Sequence, residues 1–344
     1  MFEVISSDAL RVPPVRRPRL GFAGLGWIGR SRLGAIAASG LAEIAAVVDS
    51  APGAVAQAMD HASGAVIGME FSSLLAMDLD GIVIATPSAL HAVQATAALR
   101  AGKAVFCQKP LARTAAETTA VILAAQAADR LLGVDLSYRF TAGMQQIRRM
   151  IREGELGEIY AVEMVFHNAY GPDKAWFYDA RLAGGGCLLD LGIHLVDLAL
   201  WCLDYPQIET AGGRLLAHGR PWHGGEGVED YAAGQLSTTN GVSLQLACSW
   251  KAPAGTDARI ELTFFGTQGG ASFRNVNGSF YDFVAEHLRP DRSRRVLASP
   301  PDDWTGRAAL NWVRRLAVSS AFDLEIAHLR TTAAALDRLY GRQP

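Results

Sequence analysis

Cysteine is scarce, with four in 344 residues, at positions 107, 187, 202 and 248. None forms a Cys-x-x-Cys and none has a histidine spaced to join it, so the pattern reads as reduced thiols filling a core, not a disulfide frame or a zinc site. An excess of charge of one sign is missing too. Thirty-two Lys and Arg stand against 34 Asp and Glu, a formal net charge of −2, which offers no electrostatic ground for a nucleic-acid or anionic-membrane partner. Long uninterrupted apolar runs are also lacking. The most hydrophobic stretch, residues 187–203, is broken by Asp190, His194 and Asp197 and is not expected to span a membrane. No internal repeat or coiled-coil pattern is found.

Apolar residues make up 50% of the chain, which excludes disorder as its general state. At roughly 150 residues per domain the length suggests about two domains, each able to bury its own core. Arg16-Arg17-Pro18-Arg19-Leu20 ahead of an apolar run has the look of a twin-arginine export signal. No small-residue cleavage site follows it, and cleavage there would destroy the first strand. Residues 1–18 are therefore expected to be a disordered tail, and the compartment the cytoplasm.

Residues 19–136 alternate short apolar strands with helical patterns, the signature of a doubly wound parallel sheet with helices on both faces. Gly24-Leu25-Gly26-Trp27-Ile28-Gly29 lies between the first strand and the first helix. There the first glycine allows a tight turn, the second lets backbone approach a pyrophosphate, and the third lets helix and strand pack closely. Asp49 closes the second strand about 20 residues beyond, where a ribose-binding carboxylate belongs. A carboxylate there accepts from both ribose hydroxyls and repels a 2′-phosphate. Ser50-Ala51-Pro52 brings no arginine to compensate, so NAD is expected over NADP, with Ser50 leaving room for dual use.

With Thr86-Pro87-Ser88-Ala89-Leu90-His91, Gln108-Lys109-Pro110, Tyr138-Arg139-Phe140, and Gly184-Gly185-Gly186 followed by Asp190 and His194, the chain resembles the Gfo/Idh/MocA oxidoreductases over residues 19–340. Lys109 ends a predicted parallel strand, where ligands bind in open sheets, and can stabilise a substrate alkoxide. Pro110 permits a cis bond that in similar proteins aims this lysine into the cleft. The resemblance implies His194 as general base, with Asp190 holding a substrate hydroxyl and orienting the imidazole. Asp190, His194 and Asp197 form one polar stripe on an otherwise apolar helix, and must be paired or face a wet cleft; Asp197 is read as structural. Gln108 stands where the family usually has Glu, removing a negative charge beside Lys109. Thr86, Pro87, His91 and Gln108 are expected around the cofactor with Trp27 and Ile28, and Arg139, Asn168, Trp176 and Arg181 around the substrate. His91 reads equally as a helix-face residue, and Arg139 equally as a structural ion pair. None of the other histidines has metal-ligand spacing, so no metal is expected.

Residues 137–344 are expected to form an α+β domain with a mostly antiparallel open sheet. Asn240-Gly241 is its strongest hairpin signal and Gly269-Gly270 a second. Residues 288–303 read as a loop, and 322–340 as one amphipathic closing helix. Similar proteins use the free sheet face for homodimers or homotetramers. Together these features imply an NAD(P)-dependent dehydrogenase of a sugar, inositol or related polyol. A cofactor-sensing regulator on the same fold and an NAD-assisted glycosidase or lyase remain the alternatives.

Overall fold

The computed structural model describes residues 17–225 and 227–343, so the expected tail, apart from Arg17 and Pro18, lies outside the described residues. Strands Arg19–Ala23 (β1), Glu43–Val48 (β2), Val66–Ile67 (β3), Gly81–Ile84 (β4), Ala104–Cys107 (β5) and Leu132–Val134 (β6) form a parallel sheet in the order β3-β2-β1-β4-β5-β6. Every residue of β4 and β5 is buried, because helices cover both faces, and this is why those strands read as unbroken apolar runs. The strand order reverses between β1 and β4. The carboxyl ends of β1, β4 and β5 therefore lie side by side and open a crevice where ligands bind in sheets of this kind.

A second sheet holds Ile159–Asn168 (β7), Ile208–Ala217 (β8), Arg220–Pro221 (β9), Tyr231–Thr238 (β10), Ser243–Ser249 (β11), Ala258–Gly266 (β12), Gly269–Asn275 (β13), Phe283–Leu288 (β14) and Arg294–Ala298 (β15). Its order is β15-β14-β13-β12-β7-β11-β10-β8-β9, and only the β7–β11 pair is parallel. On β12, Ala258, Ile260, Leu262 and Phe264 point inward, so one face packs on helices while the other stays open. Gly241, at φ 86°, turns the β10–β11 hairpin as its sequence predicts.

Three differences from expectation follow from tertiary context. Residues 294–298 are an edge strand, not loop; its Arg-rich, exposed sequence carries no apolar alternation. The closing helix begins only at Leu329, after a 3₁₀ turn over Leu324–His328, and Phe322 and Ile326 pack instead against the first sheet. Finally, helix Arg307–Val318 returns from the second sheet to cover the first. Its Trp312 sits over Gly81 and Gly133, where an added Cβ would meet the indole at 2.7 Å, and its ring lies 5.6 Å from Phe106.

The helical run Ala180–Cys202 is long and apolar enough to cross a membrane, but 89% of its most apolar window is buried inside the protein. Its apolar surface is the core of the second unit.

Candidate active site

The glycine loop has the shape a dinucleotide needs. Gly24 holds φ 89°, and a Cβ there would meet the Ala85 backbone at 2.4 Å; one on Gly29 would meet the Gly24 carbonyl at 2.1 Å. Gly26 has nothing within 4 Å, leaving open space before the Trp27–Ser39 helix, whose N-terminus has no side-chain cap. Unfilled N–H groups facing that space suit a pyrophosphate. Asp49 accepts the Leu25 N–H at 2.5 Å and the Ala51 N–H at 2.8 Å, tying the loop to the end of β2 while its remaining lone pairs stay available to hydroxyls. Trp27 is 65% exposed at the mouth of the loop, with Ile28 partly covered behind it and Ser50 at the surface.

Thr86 and Pro87 are half-buried at the end of β4, and the Thr86 hydroxyl donates to Gln94 Oε1. His91 does not line the crevice. It is 1% exposed, with Nδ1 2.7 Å from the Pro110 carbonyl and Nε2 2.7 Å from the Thr86 carbonyl. The imidazole bridges the loops after β4 and β5 from behind.

Lys109 follows β5, and its peptide bond to Pro110 is cis. Its Nζ donates to the Asp190 carboxylate at 2.6 Å and to the Asp190 carbonyl at 2.7 Å, so one ammonium proton remains uncommitted. Asp190 lies in a π-helical turn, Leu188–Gly192, that leads into helix Ile193–Cys202. Such wide turns recur at functional sites and loosen the carbonyl ladder. The other Asp190 oxygen accepts from Trp250 Nε1 at 3.1 Å. Lys109 and Trp250 each donate to one Asp190 oxygen, and His194 makes no hydrogen bond to that carboxylate. His194 is oriented by rings instead: Tyr138 meets it edge-on at 4.8 Å and Phe166 lies 6.3 Å away. Among the described residues no hydrogen-bond partner occupies its nitrogens. Burial, then the Lys109 charge, holds its pKa well below the ordinary imidazole value, so it is neutral at neutral pH.

The helix that carries Asp190 and His194 begins on a buried carboxylate. Glu229, 0% exposed, accepts the Gly186 N–H at 2.9 Å, the Leu188 N–H at 2.9 Å and the Tyr340 hydroxyl at 2.7 Å. The glycine run is required because a Cβ on Gly186 would meet the Glu229 carbonyl at 1.9 Å and one on Gly185 the Tyr340 hydroxyl at 2.1 Å.

The expected substrate residues fare unevenly. Arg139 is committed to a two-pronged ion pair with Asp197, which is 1% exposed and would otherwise lie uncompensated in the core. Each group is thereby engaged by the other, the Arg139 Nε and Nη2 by the two Asp197 oxygens. Arg181 has a side chain 90% exposed and paired with Asp179. Trp176 stacks on Phe177 at 3.8 Å, and Phe177 in turn meets Trp250 edge-on at 6.3 Å. Asn168 ends β7 with its Oδ1 buried and unpartnered. Trp250 and Glu229 are residues around the site that motif reading missed, and Tyr138, though part of a motif, was given no role. Neither Trp250 nor Glu229 carries a local sequence signal.

A model of the oxidoreductase family with an NAD-binding Rossmann fold matches residues 19–136, and one of the GFO/IDH/MocA C-terminal domain matches residues 144–272. Inositol 2-dehydrogenase of Rhizobium meliloti (strain 1021) is 30% identical over 262 residues, 75% of this chain and 76% of that one. 1,5-Anhydro-D-fructose reductase of Ensifer adhaerens is 33% identical over 201 residues, and the chain spans 58% of that relative's length. A solved structure of levoglucosan dehydrogenase with NADH and levoglucosan shares the fold, with a TM-score of 0.80 over 95% of this chain and 97% of that one, at 21% identity. With a matched nucleotide-binding part, a matched C-terminal part and a relative 30% identical over three quarters of its length, the chain belongs to the GFO/IDH/MocA oxidoreductase family.

Proposed function

We propose that this chain is an NAD-dependent dehydrogenase that exchanges a carbinol and a carbonyl on a sugar, inositol or related polyol. The observation that carries this reading is one cluster at the carboxyl end of β5. It joins a lysine with one free proton, a carboxylate clamped beside it and a neutral imidazole without a hydrogen-bond partner. Gly24, Gly26, Gly29 and Asp49 would hold the dinucleotide, with Trp27, Ile28, Ser50, Thr86, Pro87 and Gln108 around it. When bound, the nicotinamide supplies the hydride chemistry. Lys109 donates to the substrate oxygen and stabilises its negative charge, and His194 takes or returns the hydroxyl proton. Asp190 holds the Lys109 ammonium and Trp250 holds Asp190. Trp176 and Asn168 remain substrate contacts in this reading; His91 acts from behind as a clip.

Asp49 supports NAD over NADP, because its carboxylate repels a 2′-phosphate and the residues that follow it, Ser50-Ala51-Pro52, bring no arginine. The open face of the second sheet, where Glu163, Gln245 and Arg259 stand exposed, supports a homodimer or homotetramer formed through that face. A cytoplasmic enzyme agrees with the buried, unpaired state of all four cysteines.

A panel of sugars, inositols and other polyols, each offered with NAD and with NADP, tests the reading by reduced-cofactor absorbance. The expected result is turnover of at least one member with NAD preferred; tight NADH binding with no turnover anywhere on the panel overturns it. The pH profile gives a second test. A base whose pKa is lowered stays unprotonated as pH falls, so the acidic limb of kcat/KM should lie below the ordinary imidazole range. A limb at or above that range removes His194 as the base.

A further inference from the structure

Gln108 is the residue that departs from the motif, and a buried carboxylate lies against its amide. Its Nε2 donates to Asp135 Oδ2 at 2.5 Å, and Arg32 Nε donates to the same oxygen at 2.5 Å. The other Asp135 oxygen accepts the Ser137 hydroxyl, and Arg32 Nη2 donates back to Ser137 Oγ at 3.0 Å. The group is buried, with exposures of 5% for Arg32, 7% for Gln108, 2% for Asp135 and 5% for Ser137. It ties the first helix to the ends of β5 and β6, directly under the residue that precedes Lys109. The other titratable neighbours are Lys109 and Cys107, whose thiol is pushed up by burial and by the Asp135 charge and stays protonated.

A carboxylate only accepts, so Asp135 fixes the amide with its N–H end inward. Gln108 Oε1 is then turned away from the network. It has no partner among the described residues and is not among the buried unpartnered atoms, so it keeps some accessible surface. A glutamate at 108 would place a second carboxylate against Asp135 with one guanidinium between them, and one of the two would have to hold a proton. In this chain the carboxylate of the group stands at residue 135 and the amide at residue 108.

We propose that Arg32, Asp135 and Ser137 are positioning residues that lock the Gln108 amide, presenting Oε1 to the crevice beside Lys109 as a neutral acceptor for an N–H or O–H of the bound dinucleotide. This rests on the reading of the crevice as a dinucleotide site.

The test compares NADH affinity, by cofactor fluorescence, and thermal unfolding across pH in wild type, Gln108→Glu, Asp135→Asn, the double exchange and Gln108→Leu. Gln108→Glu and Asp135→Asn should each weaken NADH by about tenfold or more, and the double exchange, which restores one carboxylate and one amide, should return to within about threefold of wild type. A carboxyl whose pKa is raised in the fold loses stability as pH climbs past its ordinary value. The Tm deficit of Gln108→Glu should therefore widen from about pH 5 to about pH 8 and vanish in the double exchange. Gln108→Leu leaves the Arg32–Asp135 pair intact and should still weaken NADH by about tenfold. Wild type that fails to bind NADH overturns the dinucleotide reading itself. Wild type that binds while Gln108→Glu and Gln108→Leu bind equally well overturns this proposal alone, as does a double exchange no better than its parents.

Discussion

Lys109→Met is expected to lower kcat by about 10³-fold while NADH still binds. Methionine keeps the length and apolar stem of the side chain but supplies neither the free ammonium proton nor the charge. Both are needed only as the substrate oxygen becomes an alkoxide, so the loss falls on kcat and not on ground-state binding. The same substitution has a second readout. The Lys109 charge is one of the two causes that hold the His194 pKa low, so removing it should move the acidic limb of the residual activity upward. Single-turnover kinetics and an equilibrium NADH titration on the purified variant measure both effects. Unchanged turnover would take Lys109 out of the chemistry, and a low kcat with an unmoved limb would separate it from His194.

Glu229→Ala should cost about 4 kcal/mol of stability, near the upper end for a single substitution. Three buried donors lose their acceptor at once: the Gly186 and Leu188 amides and the Tyr340 hydroxyl. Water has no ready route to replace it, because Glu229 has no exposed surface. Burial pushes the Glu229 carboxyl up, while these hydrogen bonds pull it back towards the charged form. Urea unfolding followed by tryptophan fluorescence reads the difference. A shift smaller than about 1 kcal/mol would mean that the start of the helix bearing Asp190 and His194 is held by something else.

How much of this was legible depended on the distance over which each constraint acts. Glycine requirements at 24, 26 and 29 are local and stood out, because the turn, the open approach and the helix packing are all made within the loop or against the next strand. Lys109, Asp190 and His194 were found as motif residues, yet their relations were not. A regular helix predicted one shared polar stripe; the π turn at Leu188–Gly192 instead sends Asp190 to Lys109 and Trp250, leaves His194 to Tyr138, and gives Asp197 to Arg139. Glu229 joins Gly186 across 43 residues, Trp250 joins Asp190 across 60, and Arg32 joins Asp135 across 103. Isolated Glu, Trp and Arg residues carry no periodic signal, and only the folded topology brings them to their partners.

The indole of Trp312 also sets an order of events during synthesis. A growing chain that has emerged through β6 already has all six strands of the first sheet, but the notch over Gly81 and Gly133 stays open until a helix about 175 residues later leaves the ribosome. At ordinary elongation rates that interval is roughly 10–35 s, during which the apolar floor around Phe106 faces water or a chaperone. The nucleotide-binding half is thus the first to be made and among the last to be sealed. A fragment ending at residue 136 would keep that floor uncovered for good.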